Sequence, residues 1–260
     1  MATNNNIAQS NGSDETQPGP TIVVIKGDGS ARTQNGVLGL TDCALQAIDA
    51  AVELAYQGQR KINWREAYAG ESAREKSLLM DEQIAALSPE EQQKIFLPQE
   101  TIDAIREYHV ALKGPLATPT GGGFKSINVT LRQMFDLYAC VRPVKYVEGA
   151  PNPNKNVEKH GLDMVIFREN VEDVYAGIEF KIGSPEQKKL EHFLRNELGV
   201  KLHPEWNYGL GIKPISEQGT KRLVRRAVEY AGEHGYKTVT IMHKGNIMKY
   251  TEGAFKQWCY

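Results

Sequence analysis

"TIVVIKGDG", residues 21–29, is an apolar, β-branched run closed by Gly-Asp-Gly, and "LTDCALQAIDAAVELAYQG", residues 40–58, follows it with helical spacing and a terminal glycine. Strand, glycine loop and helix in that order are the opening of an α/β sheet. Downstream, "KINWREAYAG" (61–70) reads as a second strand and "PQETIDAIREY" (98–108) as a helix started by Pro98. "HVALKGP" (109–115) reads as a third strand. The polar segment 74–97 between them has the composition of a surface insertion with its own short helix.

Beyond Arg142, "LDMVIFREN" (162–170) and "DVYAGIEFKI" (173–182) read as strands. "SPEQKKLEHFLRNELG" (184–199) is a helix with Ser184 as N-cap, Pro185 at its first position, Gln187 closing a capping box and Gly199 at its end. A second helix runs through "EQGTKRLVRRAVEYAGEHG" (217–235), "KTVTIMH" (237–243) reads as a buried strand, and "IMKYTEGAFKQWCY" (247–260) starts another helix. That helix meets no Gly, Asn or Pro stop, and Phe255, Trp258 and Tyr260 give it an apolar face, so the expectation is a chain that continues in the intact protein, the alternative being a terminus packed into a partner chain.

Composition narrows the function classes. With 40% hydrophobic residues the chain can build a real core, and a formal net charge of -1 with both signs interspersed offers no basic face for nucleic acid. No stretch reaches the roughly 18 consecutive apolar residues of a membrane span. The first twenty residues hold no Lys, Arg or apolar run, which argues against a secretory signal and for a disordered tail. Cys43, Cys140 and Cys259 are far apart, odd in number and without metal-ligand spacing, as expected of unpaired thiols in a reducing compartment. The expected partner is a small molecule.

Chemistry concentrates in "TPTGGGFKSINVTLRQ", residues 118–133. Its glycines let backbone approach a ligand, and a helix beginning near Ser126 turns free amides and a positive dipole end toward the same place. Asn128 and Arg132, one turn apart, share a helix face with Ser126 at its entrance, so a hydroxyl, an amide and a guanidinium can converge on one carboxylate. A plain turn with a capping serine and a solvated arginine would produce the same spacing. Arg142 and Arg168 sit at strand exits, where α/β folds collect ligands, although each could equally serve as a surface ion pair. Tyr175 in "VEDVYAG" and Lys244 in "MHKGN" also stand at strand or loop positions rather than on polar helix faces.

Four stretches, 111–146, 163–180, 211–231 and 243–260, together resemble the bacterial NADP-dependent isocitrate dehydrogenases, within the β-decarboxylating dehydrogenases. Ser126 and Asn128 ahead of Leu131-Arg132 look like the isocitrate form of the motif, where isopropylmalate enzymes accept a branched alkyl group. The resemblance implies an α/β fold with a large open-sheet domain (21–137), a small α/β domain (138–172 and 217–260) and a dimer clasp (173–216), incomplete at the C-terminal side. It implies that Ser126, Asn128, Arg132, Arg142 and Arg168 hold the carboxylates of isocitrate. Lys244 would assist removal of the hydroxyl proton, and Tyr175 would protonate the enol carbon left by decarboxylation. Thr118 and Asn246 would belong to the NADP site, and magnesium or manganese would be the metal, with ligands expected beyond residue 260. It further implies a cytoplasmic homodimer of the tricarboxylic acid cycle, and a phosphate on Ser126, as in some bacterial members, would repel the substrate.

Two departures stand out. The family's Gly-Asp-Gly-Ile-Gly is Gly27-Asp28-Gly29-Ser30-Ala31 here, and its Leu-Thr-Thr-Pro is Leu116-Ala117-Thr118-Pro119, losing a hydroxyl expected beside the nicotinamide. The competing expectations are a non-catalytic homologue that binds tricarboxylate or pairs with a full-length subunit, and a dehydrogenase for a related 2-hydroxy acid.

Overall fold

The computed structural model describes residues 19–117 and 126–260. The tail through residue 18, the glycines 121–123 and Thr118 lie outside the described residues. The chain divides into two compact units, Met1–Asn128 and Val129–Tyr260.

In the first unit, β1 (Thr21–Ile25) leads through the glycine loop into α1 (Leu40–Tyr56), then β2 (Asn63–Glu66). Three short helices follow, α2 (Glu71–Ser77), α3 (Asp81–Ala85) and α4 (Pro89–Phe96), then α5 (Gln99–Tyr108) and β3 (Ala111–Lys113). The sheet order is β2-β1-β3, parallel throughout, with Val24 opposite Glu66 and Leu112. A central parallel strand needs apolar side chains on both faces, and Val23, Val24 and Ile25 are all buried. The insertion is more than a surface decoration. Ser88 caps α4, its hydroxyl accepting from Glu91 N–H while Glu91 accepts from Ser88 N–H, and the helix ends by burying Phe96 and Leu97.

The next helix, α6 (Ile127–Met134), carries the boundary between the units. Within the second unit, β4 (Ala139–Lys145), α7 (Lys155–His160) and β5 (Asp163–Glu169) form an antiparallel ribbon with its crossover turn. A second ribbon pairs β6 (Ile178–Phe180) with β7 (Leu210–Ile212) around α8 (Pro185–Asn196). The unit closes with α9 (Glu217–Glu233) and α10 (Glu252–Trp258). Phe167 of β5 meets Tyr230 of α9 edge to face at 5.4 Å, seating the helix on the ribbon.

One strand expectation holds only in its second half and another fails. Residues 173–182 are a 3-10 turn at Asp173–Ala176 followed by the short β6, because Asp173 adopts φ 58°, a left-handed conformation that interrupts an extended strand. Residues 237–243 join no ladder among the described residues, and Val239 and Met242 are exposed. This segment instead borders a cavity of about 710 Å³ lined by Phe167, Leu223, Val224, Val239, Ile241 and Phe255.

Candidate functional site

In the first unit the glycine loop is tied to its neighbours through Asp28. Asp28 is buried, and its two carboxylate oxygens accept from Glu71 N–H at 3.0 Å and Ala117 N–H at 2.9 Å, while its own N–H donates to Pro115 O at 2.8 Å. The carboxylate therefore pins the backbone that runs toward Thr118 to the start of α2, and the substitutions at Ser30 and Ala31 leave that clasp intact. The Ala117 contact is made by its backbone N–H and requires no side-chain hydroxyl at that position.

Ser126 stands just ahead of α6, half-buried, with Ile127 almost fully buried behind it. Asn128 and Arg132 occupy α6 one turn apart, both half-buried, and Arg132 O accepts from Leu137 N–H at 2.8 Å where the helix unwinds toward β4.

The second unit brings three of the expected residues together. Cys140 pairs with Arg168 and Arg142 with Ile166 across the β4–β5 ladder, and alternate residues of a strand share a face, so Arg142 and Arg168 are diagonal neighbours on one side of the ribbon. Arg168 lies over the Tyr175 ring, 4.5 Å from its centroid. One Arg168 Nη reaches Cys140 Sγ at 3.4 Å and Asn170 Oδ1 at 3.3 Å, and its Nε is buried without a hydrogen-bond partner among the described residues. Arg142 is exposed on the same face, in the middle of β4 rather than at the strand exit the sequence suggested, because the ladder with β5 continues to Lys145.

Residues that sequence reasoning passed over hold this arrangement. Asn170, buried, donates from Nδ2 to Leu137 O at 2.9 Å while its Oδ1 takes the Arg168 contact. Glu169 Oε1 collects the N–H groups of Asn170, Val171 and Glu172 at 2.8 to 3.0 Å, folding the chain over toward the turn that carries Tyr175. Gln133 of α6 completes the support, its Nε2 donating to Tyr175 O at 2.9 Å. The signal was present as Arg-Glu-Asn directly after an apolar strand, a place where polar side chains can turn back on the chain.

Lys244 and Asn246 lie exposed on the turn before α10, and Lys244 N–H donates to Glu252 Oε2 at 3.1 Å. Among the described residues no group of three or more His, Cys, Asp or Glu side chains is placed to hold a metal ion. Among them, also, no helix is long and apolar enough to cross a membrane.

A family model described as isocitrate/isopropylmalate dehydrogenase matches residues 22–260. The NADP isocitrate dehydrogenase of Pseudomonas aeruginosa is 51% identical over 243 residues, covering 93% of this chain and 53% of the relative. That of Helicobacter pylori is likewise 51% identical over 243 residues, with 93% and 53% covered. The crystal structure of isocitrate dehydrogenase from Methylococcus capsulatus superposes with a TM-score of 0.62 at 32% identity, over 92% of this chain and 55% of that one. The chain spans about half the length of the curated relatives it matches.

Proposed function

Because the chain belongs to the isocitrate/isopropylmalate dehydrogenase family, we propose that it serves the oxidative decarboxylation of isocitrate to 2-oxoglutarate and carbon dioxide with NADP as acceptor. The observation that carries this reading is the Arg142–Arg168–Tyr175 face. Two guanidiniums on one side of a ribbon suit a substrate with several carboxylates, and Arg168 over the tyrosine ring sets a proton donor beside the group that binds one of them. Ser126, Asn128 and Arg132 on and before α6 supply a hydroxyl, an amide and a third guanidinium for the remaining carboxylate oxygens.

NADP, held through Thr118 and Asn246, would supply the hydride acceptor for oxidation of the hydroxyl-bearing carbon. Lys244 assists removal of the hydroxyl proton as the carbonyl forms. Loss of the carboxylate β to that carbonyl breaks a carbon–carbon bond and leaves its electron pair on the enol, and Tyr175 O–H delivers a proton to the carbon. Thr118 and Asn246 remain the proposed contacts to the cofactor. The reading includes a cytoplasmic homodimer joined through residues 173–216.

Isothermal titration of isocitrate into the chain, with and without NADP, paired with a spectrophotometric assay of NADP reduction, tests the proposal. Binding that weakens by about tenfold or more in Arg168→Met supports it, since that change removes a charge-assisted contact. Isocitrate affinity unaltered by Arg168→Met, or no binding by the parent chain, overturns it, and binding without any NADP reduction favours the non-catalytic homologue.

A further inference from the structure

The turn that carries Tyr175 and the turn that carries Lys244 are joined by one side chain that neither reading of the reaction uses. Lys213, in the segment between β7 and α9, places Nζ 3.0 Å from Asp173 Oδ1 and in contact with Glu252 Oε1. Its side chain is 22% exposed, against 29% for Asp173 and 14% for Glu252, so the three charges are largely withdrawn from water. The Asp173 contact has the distance of an ion pair without the angle of a hydrogen bond, whereas Glu252 takes the directed one.

Each carboxylate begins the element that matters. Asp173 opens the 3-10 turn ending at Ala176, is held at φ 58°, and donates its N–H to Pro214 O at 2.9 Å, next to Lys213 itself. A non-glycine residue stays in that conformation only where its surroundings compel it. Glu252 opens α10 and its second oxygen accepts Lys244 N–H at 3.1 Å. The connection therefore runs Tyr175 turn, Asp173, Lys213, Glu252, Lys244, through three side chains and one backbone amide.

We propose that Lys213 is a positioning residue that fixes the Tyr175 turn and the Lys244 turn in register with one another. The inference rests on the functional reading above only in assigning proton transfers to Tyr175 and Lys244; the tie itself is a property of the second unit. Burial opposes the Lys213 charge, but hydrogen bonding to Glu252 and the two neighbouring carboxylates raise its pKa overall, and the Lys213 hydrogen bond leads the causes that lower that of Glu252. Without the ammonium, Asp173 and Glu252 would face each other as like charges, and both turns would be free to drift apart.

The test is amide hydrogen exchange by NMR on the chain and on Lys213→Met and Lys213→Arg. The expected result in Lys213→Met is exchange faster by about tenfold or more at Asp173 and Lys244, with Leu223 in α9 unchanged, because only the local tie is lost. Lys213→Arg should restore most of the protection, and carboxyl titration should find the Glu252 pKa higher in Lys213→Met than in the parent. Unchanged exchange at both turns overturns the proposal, as does acceleration that includes Leu223, or failure of Lys213→Arg to recover anything. Where isocitrate-dependent turnover is measured, kcat falls and KM stays within about twofold in Lys213→Met, since the carboxylate contacts are untouched. A parent chain without turnover defeats the functional reading alone, and the exchange result still decides the tie.

Discussion

At Gly70 one hydrogen atom in place of a methyl allows the Asp28 clasp to exist. The residue has φ 70°, and a Cβ built there would lie 2.4 Å from Asp28 Oδ2 and 3.0 Å from Leu116 Cδ2. Gly70→Ala must therefore displace a buried carboxylate that holds two N–H groups, as well as adopt a left-handed backbone. We expect a loss of about 2–4 kcal/mol in urea unfolding, from strain and from unpaired buried polar groups together. A change below about 0.5 kcal/mol would show that the carboxylate moves aside freely. Asp42 makes a second prediction, in pH. Its carboxylate accepts from Thr33 Oγ1 at 2.6 Å and Thr33 N at 3.1 Å and pairs with Lys26 at 3.1 Å, and the Thr33 hydroxyl leads the causes that hold its pKa below the usual carboxylate range. A folded pKa below the unfolded one means that the stabilisation is present above the ordinary aspartate pKa of about 3.9 and is lost as pH falls through the folded value. Asp42→Asn should lower stability at neutral pH and flatten its fall in acid; parallel acid profiles for the two chains would refute this.

At the scale of elements, capping chemistry was readable and strand pairing was only partly so. Ser184 Oγ accepts Gln187 N–H at 3.1 Å, as its position before Pro185 predicts, but Gln187 Oε1 reaches back to Gly183 N–H at 3.3 Å, one residue short of Ser184. Ser184→Ala should cost α8 about 1 kcal/mol by thermal unfolding, and Ser184→Asp, which restores an acceptor, should recover most of it. The β1–α1–β2 opening was legible because its apolar run and helical period are local properties. By contrast, "DVYAGIEF" has the alternation of a strand, and only the Asp173–Pro214 and Asp173–Lys213 contacts, made by residues far along the chain, turn its first half into a helix. "KTVTIMH" has a strand's composition too, yet a strand needs a neighbour to satisfy its amides, and none of the described residues pairs with it. Arg168 and Tyr175 were legible as candidates from their places at strand and loop ends, and the fold stacks one on the other. Asn170 and Glu169 were not, since their work is to hold others and depends on which carbonyls and amides the fold brings within reach.

For the whole molecule, the proposed homodimer rests on the β6–β7 ribbon. A ribbon of two short strands is marginal in water without something to cover it, and this one leaves Ile178 38% and Ile212 47% exposed, with Ile182 just beyond β6 57% exposed and α8 packed against β7. Pairing with the same ribbon of a second chain would bury these side chains symmetrically and satisfy open strand edges, the arrangement that a twofold interface favours. If the proposal is right, dissociation and unfolding are coupled, so Tm should rise with protein concentration, and sedimentation should give twice the chain mass. Ile212→Lys places a charge opposite Ile178 in the ladder and, in the dimer, at the joint itself. It should abolish the concentration dependence and halve the sedimenting mass, while Phe167–Tyr230 packing, read from aromatic NMR shifts, stays as in the parent. A parent chain that sediments as a monomer with a concentration-independent Tm would remove the ribbon from the interface and leave its apolar residues needing another cover.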